Sequence, residues 1–205
     1  QKIAKEFDQS RYKTWTSAEL FLDNIQITSN VLEVGCGNGK NLLYLKNRGC
    51  NHLTGCDLAD EFCNITRSKG IECIVANNLD LPFPDNSFDY YTIAFGIRNM
   101  LSIENALAEA YRVLKPTGKF LCLEFSEVQN DFMRPFYDFY SFNVIPTIGG
   151  CVAQNKDAYR YLAESIALFP NQEDFKTMIQ NAGFSEVSYK NLSFGVAAIH
   201  HGFKS

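Results

Sequence analysis

The sequence predicts a doubly wound α/β domain, and three observations carry that expectation. Apolar strand-like runs alternate with amphipathic stretches from Val31 onward. The first of those runs ends in a glycine-rich turn, Gly35 to Gly39. The chain then closes on two neighbouring strand-like runs, Ser185–Leu192 and Gly195–His201, which suit an antiparallel pair. A length of 205 residues with 46% hydrophobic and 20% charged content suits one soluble globular domain with a full core.

The elements follow in order. Val31–Val34 is a short buried strand, and Asn38–Asn47 is a helix with Leu42, Leu43 and Leu45 on its apolar side. His52–Cys56 is a second strand, Asp60–Lys69 a helix and Ile71–Ala76 a third strand. Asp80–Ser87 is a turn-rich loop with two prolines and an Asp-Asn-Ser cluster. Phe88–Ala94 has too few polar breaks to be half exposed and suits a central parallel strand. Ser102–Leu114 is a helix capped by Ser102, with Ile103, Leu107, Ala110 and Leu114 on one face. Lys115-Pro116-Thr117-Gly118 stops it, and Lys119–Phe125 is a fifth strand. The aromatic-rich run Phe132–Ile148 interrupts the alternation as an inserted helical element, and Ala158–Leu168 and Gln172–Ala182 are further helices. No linker or repeat divides the chain. It reads as one domain over 1–205, with an amino-terminal helical arm at 1–30 and an inserted helical segment at 127–170.

Composition narrows the function classes. A net charge of −4 argues against a large nucleic-acid surface, because phosphate contacts need clustered Lys and Arg. No apolar run approaches the roughly 20 residues of a membrane span, and QKIAKEFDQSRYK lacks the form of a signal peptide, so a cytoplasmic protein is expected. The seven cysteines include no CxxC pair, their number is odd, and most lie in apolar stretches. Buried reduced thiols are expected, and no metal site.

The stretch from Val31 to Asp57 carries the most chemistry. Its order is strand, glycine turn, helix, strand and terminal acid, a βαβ unit whose turn admits a ligand close to the backbone. Gly35, Gly37 and Gly39 are spaced GxGxG, whereas a dinucleotide fingerprint is spaced GxGxxG. With Glu33 two residues ahead, this form is typical of enzymes that use S-adenosylmethionine (SAM). SAM has no pyrophosphate for a helix N-terminus, and its sulfonium and amino group are better served by carboxylates and carbonyls. A strand–helix turn needing φ > 0 would account for the glycines alone. Glu33 and Asp57 together make the ligand reading the stronger one.

Ligands in open α/β sheets sit beyond the carboxyl ends of the strands. The first such loop offers Glu33, the three glycines and Asn38. The second offers Asp57, suited to two ribose hydroxyls, with Leu58 beside it. The third offers Asn77 and Asn78, suited either to the adenine edge or to a plain Asn turn. The fourth runs from Ala94 to Asn99, opposite the methyl donor.

From Leu81 to Lys204 the chain resembles the ubiquinone/menaquinone biosynthesis C-methyltransferases. The blocks that carry the resemblance are LPFPDNSFD, TIAFGIRN, YRVLKPTGKFLCLEFS, YDFYSFNVIP, YRYLAESIALFP and NLSFGVAAIHHGFK. From Ile3 to about Asp80 the wording differs. IAKEFDQSRYKTW and VGCGNGKNL resemble the methyltransferases that esterify carboxymethyluridine at the tRNA wobble position. The resemblance implies a Rossmann-like class I methyltransferase fold: a mostly parallel seven-stranded sheet with an antiparallel last strand and an inserted helical element.

The resemblance also implies SAM as methyl donor, with S-adenosylhomocysteine as product, and a polyprenylated quinol ring as acceptor. The aromatic run from Phe132 to Ile148 would line an apolar groove for such an acceptor. Arg98 is implied as the cation that stabilises the phenolate, Asn99 as the group that orients the ring oxygen, and Tyr137 and Asp138 as partners. A lipophilic acceptor brings peripheral membrane contact into view, a mitochondrial matrix location if the source is eukaryotic, and a homodimer. A tRNA methyltransferase and a catalytically silent SAM-binding subunit are the alternatives.

Overall fold

A computed structural model describes residues 19, 21–128 and 156–205 of the chain. Seven strands form one sheet: β1 (Val31–Val34), β2 (Leu53–Asp57), β3 (Glu72–Val75), β4 (Phe88–Ala94), β5 (Leu114–Phe125), β6 (Phe184–Leu192) and β7 (Ala197–Lys204), in the order β3-β2-β1-β4-β5-β7-β6. β1 pairs in parallel with β2 and β4, β2 with β3, and β4 with β5, while β7 runs antiparallel to both β5 and β6. The mostly parallel sheet with one antiparallel strand is the fold that the sequence implies.

The helices are α1 (Lys40–Asn47), α2 (Asp60–Ser68), α3 (Ile103–Val113), α4 (Lys156–Leu168) and α5 (Gln172–Asn181). They cover both faces of the sheet. On one face Leu107, Ala110 and Val113 of α3, with Phe175 and Ile179 of α5, pack on Leu32, Tyr91, Ile93 and Phe120. On the other, Leu42 and Leu45 of α1 and Cys63 of α2 join Phe21, Leu22 and Ile25 over Val31, Leu53 and Cys73. All four residues of β1 are buried, as a strand covered on both faces must be. Ser102 caps α3 as expected, its hydroxyl accepting the Asn105 N–H at 3.2 Å.

Two boundaries depart from the expected pattern. Helix α3 runs into β5 without a loop, since Leu114 is extended and pairs with Phe88. The pairing then jumps, Tyr90 facing Lys119, so that Lys115–Gly118 loops out of the ladder with Thr117 at φ 65°. Proline cannot continue a helix, and a Cβ on Gly118 would lie 2.7 Å from the Lys115 carbonyl. The stop is therefore where the sequence places it, and the strand begins one residue before it. The inserted aromatic run, the arm before residue 19, Tyr137, Asp138 and Cys151 lie outside the described residues.

The order of strands reverses direction between β1 and β4, and the crevice outside their carboxyl ends is where such sheets bind ligands. The four candidate ligand loops singled out in the sequence lie at this end. Phe120 anchors the sheet behind it, fully buried and in ring contact with Tyr91 at 5.6 Å and Phe184 at 5.2 Å. Phe120→Ala should cost about 3–5 kcal/mol of stability, read as a lower urea midpoint at an unchanged m-value.

Candidate active site

The turn after β1 depends on backbone conformations that suit glycine: φ is 65° at Gly35, 53° at Gly37 and 69° at Gly39. Gly39 is also constrained by space, because a Cβ there would lie 2.6 Å from Thr66 Oγ1. At Gly35 the opposite holds: among the described residues beyond its chain neighbours, no atom lies within 4 Å of the Cβ position, which leaves room there for a ligand. The turn is pinned from below. The Gly37 N–H donates to Asp57 Oδ2 at 2.9 Å, the Ala59 N–H donates to Asp57 Oδ1 at 3.0 Å, and the Thr66 hydroxyl donates to the Gly37 carbonyl at 3.1 Å. Asn38 is buried, and its backbone carbonyl accepts from Lys69 Nζ at 2.6 Å. Each Asp57 oxygen retains a further lone pair for a hydroxyl donor. Leu58 beside it is 71% exposed, an apolar side chain at the carboxyl end of β2.

Glu33 lies under the same turn and is 2% exposed. Its Oε1 accepts from Asn41 Nδ2 at 2.6 Å, while Glu33 Oε2 and Asn41 Oδ1 are buried without hydrogen-bond partners among the described residues. Burial raises the Glu33 carboxyl to about 7 against the opposing pull of the Asn41 amide and the Lys40 charge. Two neighbouring orphan acceptors call for a donor, and a cationic amino group is the strongest kind. Asn41 is a site residue that the sequence reading missed. Nothing in the apolar run around it distinguishes a buried Asn from a helix-surface one.

At the third loop the two asparagines differ. Asn77 is exposed, and its Oδ1 accepts the Leu79 N–H at 3.0 Å, an Asx turn. Asn78 Oδ1 is buried without a partner among the described residues, an acceptor suited to an exocyclic amino group. The open turn, the apolar Leu58, the free lone pairs of Asp57 and the orphan oxygens of Glu33, Asn41 and Asn78 fit the parts of SAM.

The fourth loop is held by a buried ion pair. Arg98 Nη1 donates to Glu124 Oε1 at 2.7 Å and to the Phe95 carbonyl at 2.8 Å, and Nε donates to Ser165 Oγ at 3.3 Å. Phe95 adopts φ 58°, an unusual conformation for an aromatic residue, and its ring packs on Phe125 at 4.7 Å. The guanidinium in turn lies 5.3 Å from the Phe125 ring centre. Its Nη2 makes no hydrogen bond to a described residue. Arg98 forms one wall of a cavity of about 220 Å³ lined also by Ile103, Tyr161, Glu164, Ser165, Leu168 and Phe169. Asn99 Oδ1 accepts the Tyr161 hydroxyl at 3.0 Å, and Ala94, half-buried at the end of β4, pairs with Leu123. Glu124, Tyr161 and Ser165 are site residues that the sequence reading missed; only Glu124 carries a signal, as the one acid inside the apolar run LCLEF.

Fold and crevice together define a class I methyltransferase. The same fold occurs in a SAM-dependent methyltransferase from Aquifex aeolicus, with a TM-score of 0.68, 18% identity and coverage of 100% of this chain and 98% of that one. It also occurs in the [4+2]-cyclase SpnF, with a TM-score of 0.69, 17% identity and coverage of 92% and 79%. The scaffold alone therefore does not dictate the reaction. The chain belongs to the ubiE/COQ5 methyltransferase family, whose profile matches residues 6–204. Among similar proteins, the ubiquinone/menaquinone biosynthesis C-methyltransferase UbiE of Rickettsia prowazekii is 52% identical over 94% of this chain and 83% of its own length. The UbiE of Rickettsia bellii is 53% identical over 87% and 77%. The match spans the amino-terminal half as well, so the tRNA-enzyme wording of that half belongs to the same family as the rest.

Glu33 makes stability depend on pH. Its folded carboxyl at about 7 lies above its ordinary 4.5, so the stabilisation is fully present below 4.5 and lost as pH rises through 7. At 1.36 kcal/mol per unit this amounts to on the order of 3 kcal/mol for a fully buried group. Urea titrations of the ligand-free protein from pH 5 to 8 should show that loss, and Glu33→Gln should flatten the profile.

Proposed function

We propose that this enzyme transfers the methyl group of SAM to a ring carbon of a polyprenylated quinol, demethylmenaquinol or a methoxy-polyprenyl-benzoquinol, in quinone biosynthesis. Its relatives at about half identity are ubiquinone/menaquinone biosynthesis C-methyltransferases, which supports the acceptor class. The observation that carries the reading is Arg98, a fixed cation on the wall of a cavity at the carboxyl end of β4 that it shares with apolar Ile103, Leu168 and Phe169 and polar Tyr161, Glu164 and Ser165.

Bound SAM supplies an electrophilic methyl group that needs no further activation. Glu33, with Asn41, would hold its amino group, Asp57 its ribose and Asn78 its adenine, with Leu58 against the ring and the backbone of Gly35, Gly37 and Gly39 beneath. Gly35 keeps that approach open. On the acceptor side the protein must make a ring carbon nucleophilic, which a deprotonated hydroxyl next to it achieves. A guanidinium offers donors and no acceptor, so the part of Arg98 is to stabilise the phenolate through Nη2. Glu124, Ser165 and the Phe95 carbonyl hold the guanidinium so that this group needs no rearrangement as charge develops. Asn99, its carbonyl already engaged by Tyr161, offers its amide N–H groups to the ring oxygen. Tyr137 completes the set proposed from the resemblance. Ile103, Leu168 and Phe169 provide apolar wall for the acceptor and exclude water. No described helix is long and apolar enough to cross a membrane, and the protein would meet its lipid acceptor by peripheral contact.

Labelled SAM offered in parallel with demethylmenaquinol, a methoxy-polyprenyl-benzoquinol and bulk tRNA should label a quinol and leave tRNA unlabelled. Label in tRNA alone would overturn the reading. Removing Arg98 alone would strand a buried carboxylate at a cost of about 3–5 kcal/mol, so the informative variant is Arg98→Gln with Glu124→Gln. We expect its kcat to fall by about 10²–10³ while the SAM Kd measured by calorimetry stays within about twofold.

A further inference from the structure

Beneath the glycine turn two thiols touch: Cys36 Sγ lies 3.4 Å from Cys73 Sγ. Cys36 stands between Gly35 and Gly37 at the end of β1, and Cys73 lies on β3, with β2 between them. They meet because the residue across from Cys73 on β2 is Gly55, where a Cβ would lie 2.9 Å from Cys36 Sγ and 3.3 Å from Cys73 Sγ. A mid-strand glycine with ordinary φ therefore leaves room for a sulfur pair.

We propose that Cys36 and Cys73 are an oxidation site at which a peroxide forms a disulfide that deforms the cofactor turn and releases SAM. The regulatory half rests on the reading that this turn holds SAM. Cys73 is the nucleophile of the pair. The hydrogen bond from the Cys36 thiol stabilises its thiolate, Arg67 adds positive charge, and its proton affinity is lowered, whereas burial raises Cys56 and Cys63. Cys73 thiolate attacks one peroxide oxygen, the O–O bond breaks, and the second oxygen leaves as water after taking a proton. The Cys36 thiol then attacks the Cys73 sulfenic acid, and its proton leaves with the hydroxyl as a second water. One peroxide is reduced to two waters, and two thiols are oxidised to one disulfide.

Closing the bond to about 2.05 Å requires the sulfurs to approach by about 1.3 Å. Cys73 is fixed in a strand between paired neighbours, so the glycine-flanked Cys36 is the residue that moves. It carries Gly37 with it, and the N–H of Gly37 is the link to Asp57.

The test treats the full chain with hydrogen peroxide, maps the peptides without reduction, and measures the SAM Kd by calorimetry before oxidation, after it and after dithiothreitol. We expect a Cys36–Cys73 linked peptide two hydrogens lighter than the free pair and a SAM Kd raised at least tenfold. Dithiothreitol should restore the affinity, and Cys73→Ser should bind SAM normally and ignore peroxide. A Cys63–Cys73 link, oxidation without a link, or a Cys36–Cys73 link that leaves Kd unchanged would each overturn the proposal. If the reduced protein bound no SAM while the link still formed, the cofactor reading would fall and the regulatory half with it.

Discussion

The Asp57 carboxylate holds the cofactor end of the molecule together. One oxygen takes the N–H of Gly37 and the other the N–H of Ala59, so a single side chain joins the turn after β1 to the turn after β2. Three left-handed glycines at alternate positions would otherwise be a soft hinge, since glycine loses the most freedom on folding. A charge-assisted acceptor offsets part of that entropy and leaves spare lone pairs facing the crevice. Thr66 and Lys69, from α2 or its end, then donate to the carbonyls of Gly37 and Asn38.

At the other end of the crevice a different principle operates. Arg98 and Glu124 are paired in a nearly dry environment, where the desolvation of both ions must be repaid by geometry. The guanidinium meets that requirement with a carboxylate, a carbonyl and a hydroxyl, and the carboxylate with the Phe125 N–H as well. Burial nevertheless raises the Glu124 carboxyl against the pull of Arg98. Phe95 accepts backbone strain to point its carbonyl at this group. Strain and buried charge at one loop, next to a cavity, mark that loop as something other than a connector.

Much of the fold was readable because its signals are local. The buried strands Val31–Val34 and Phe88–Ala94, the Ser102 cap and the glycine turn each announce themselves within a few residues. The direct passage from α3 to β5 was not readable, because Leu114 serves the apolar face of a helix as well as it serves a strand. In the site, Glu33, Asp57 and Arg98 stood out as charges in apolar or turn contexts. Asn41, Tyr161 and Ser165 did not, since each is an ordinary helix residue whose role comes from what the tertiary fold sets opposite it. The cysteines read as inert core, and six of them are buried free thiols, yet the contact between two depends on a glycine in a third strand.

The position of β7 bears on how the chain assembles. It lies between β5 and β6 although it follows both, and it pairs with each along most of its length. A chain emerging from the ribosome therefore presents β5 with an unpaired edge and β6 with no neighbour until the strand after them appears. During that interval β6 has only α5 and the sheet's apolar face to hold it near its place. Closure of the sheet is thus a single late event, and the edge of β5 is the part of the nascent chain most in need of protection from pairing with other chains.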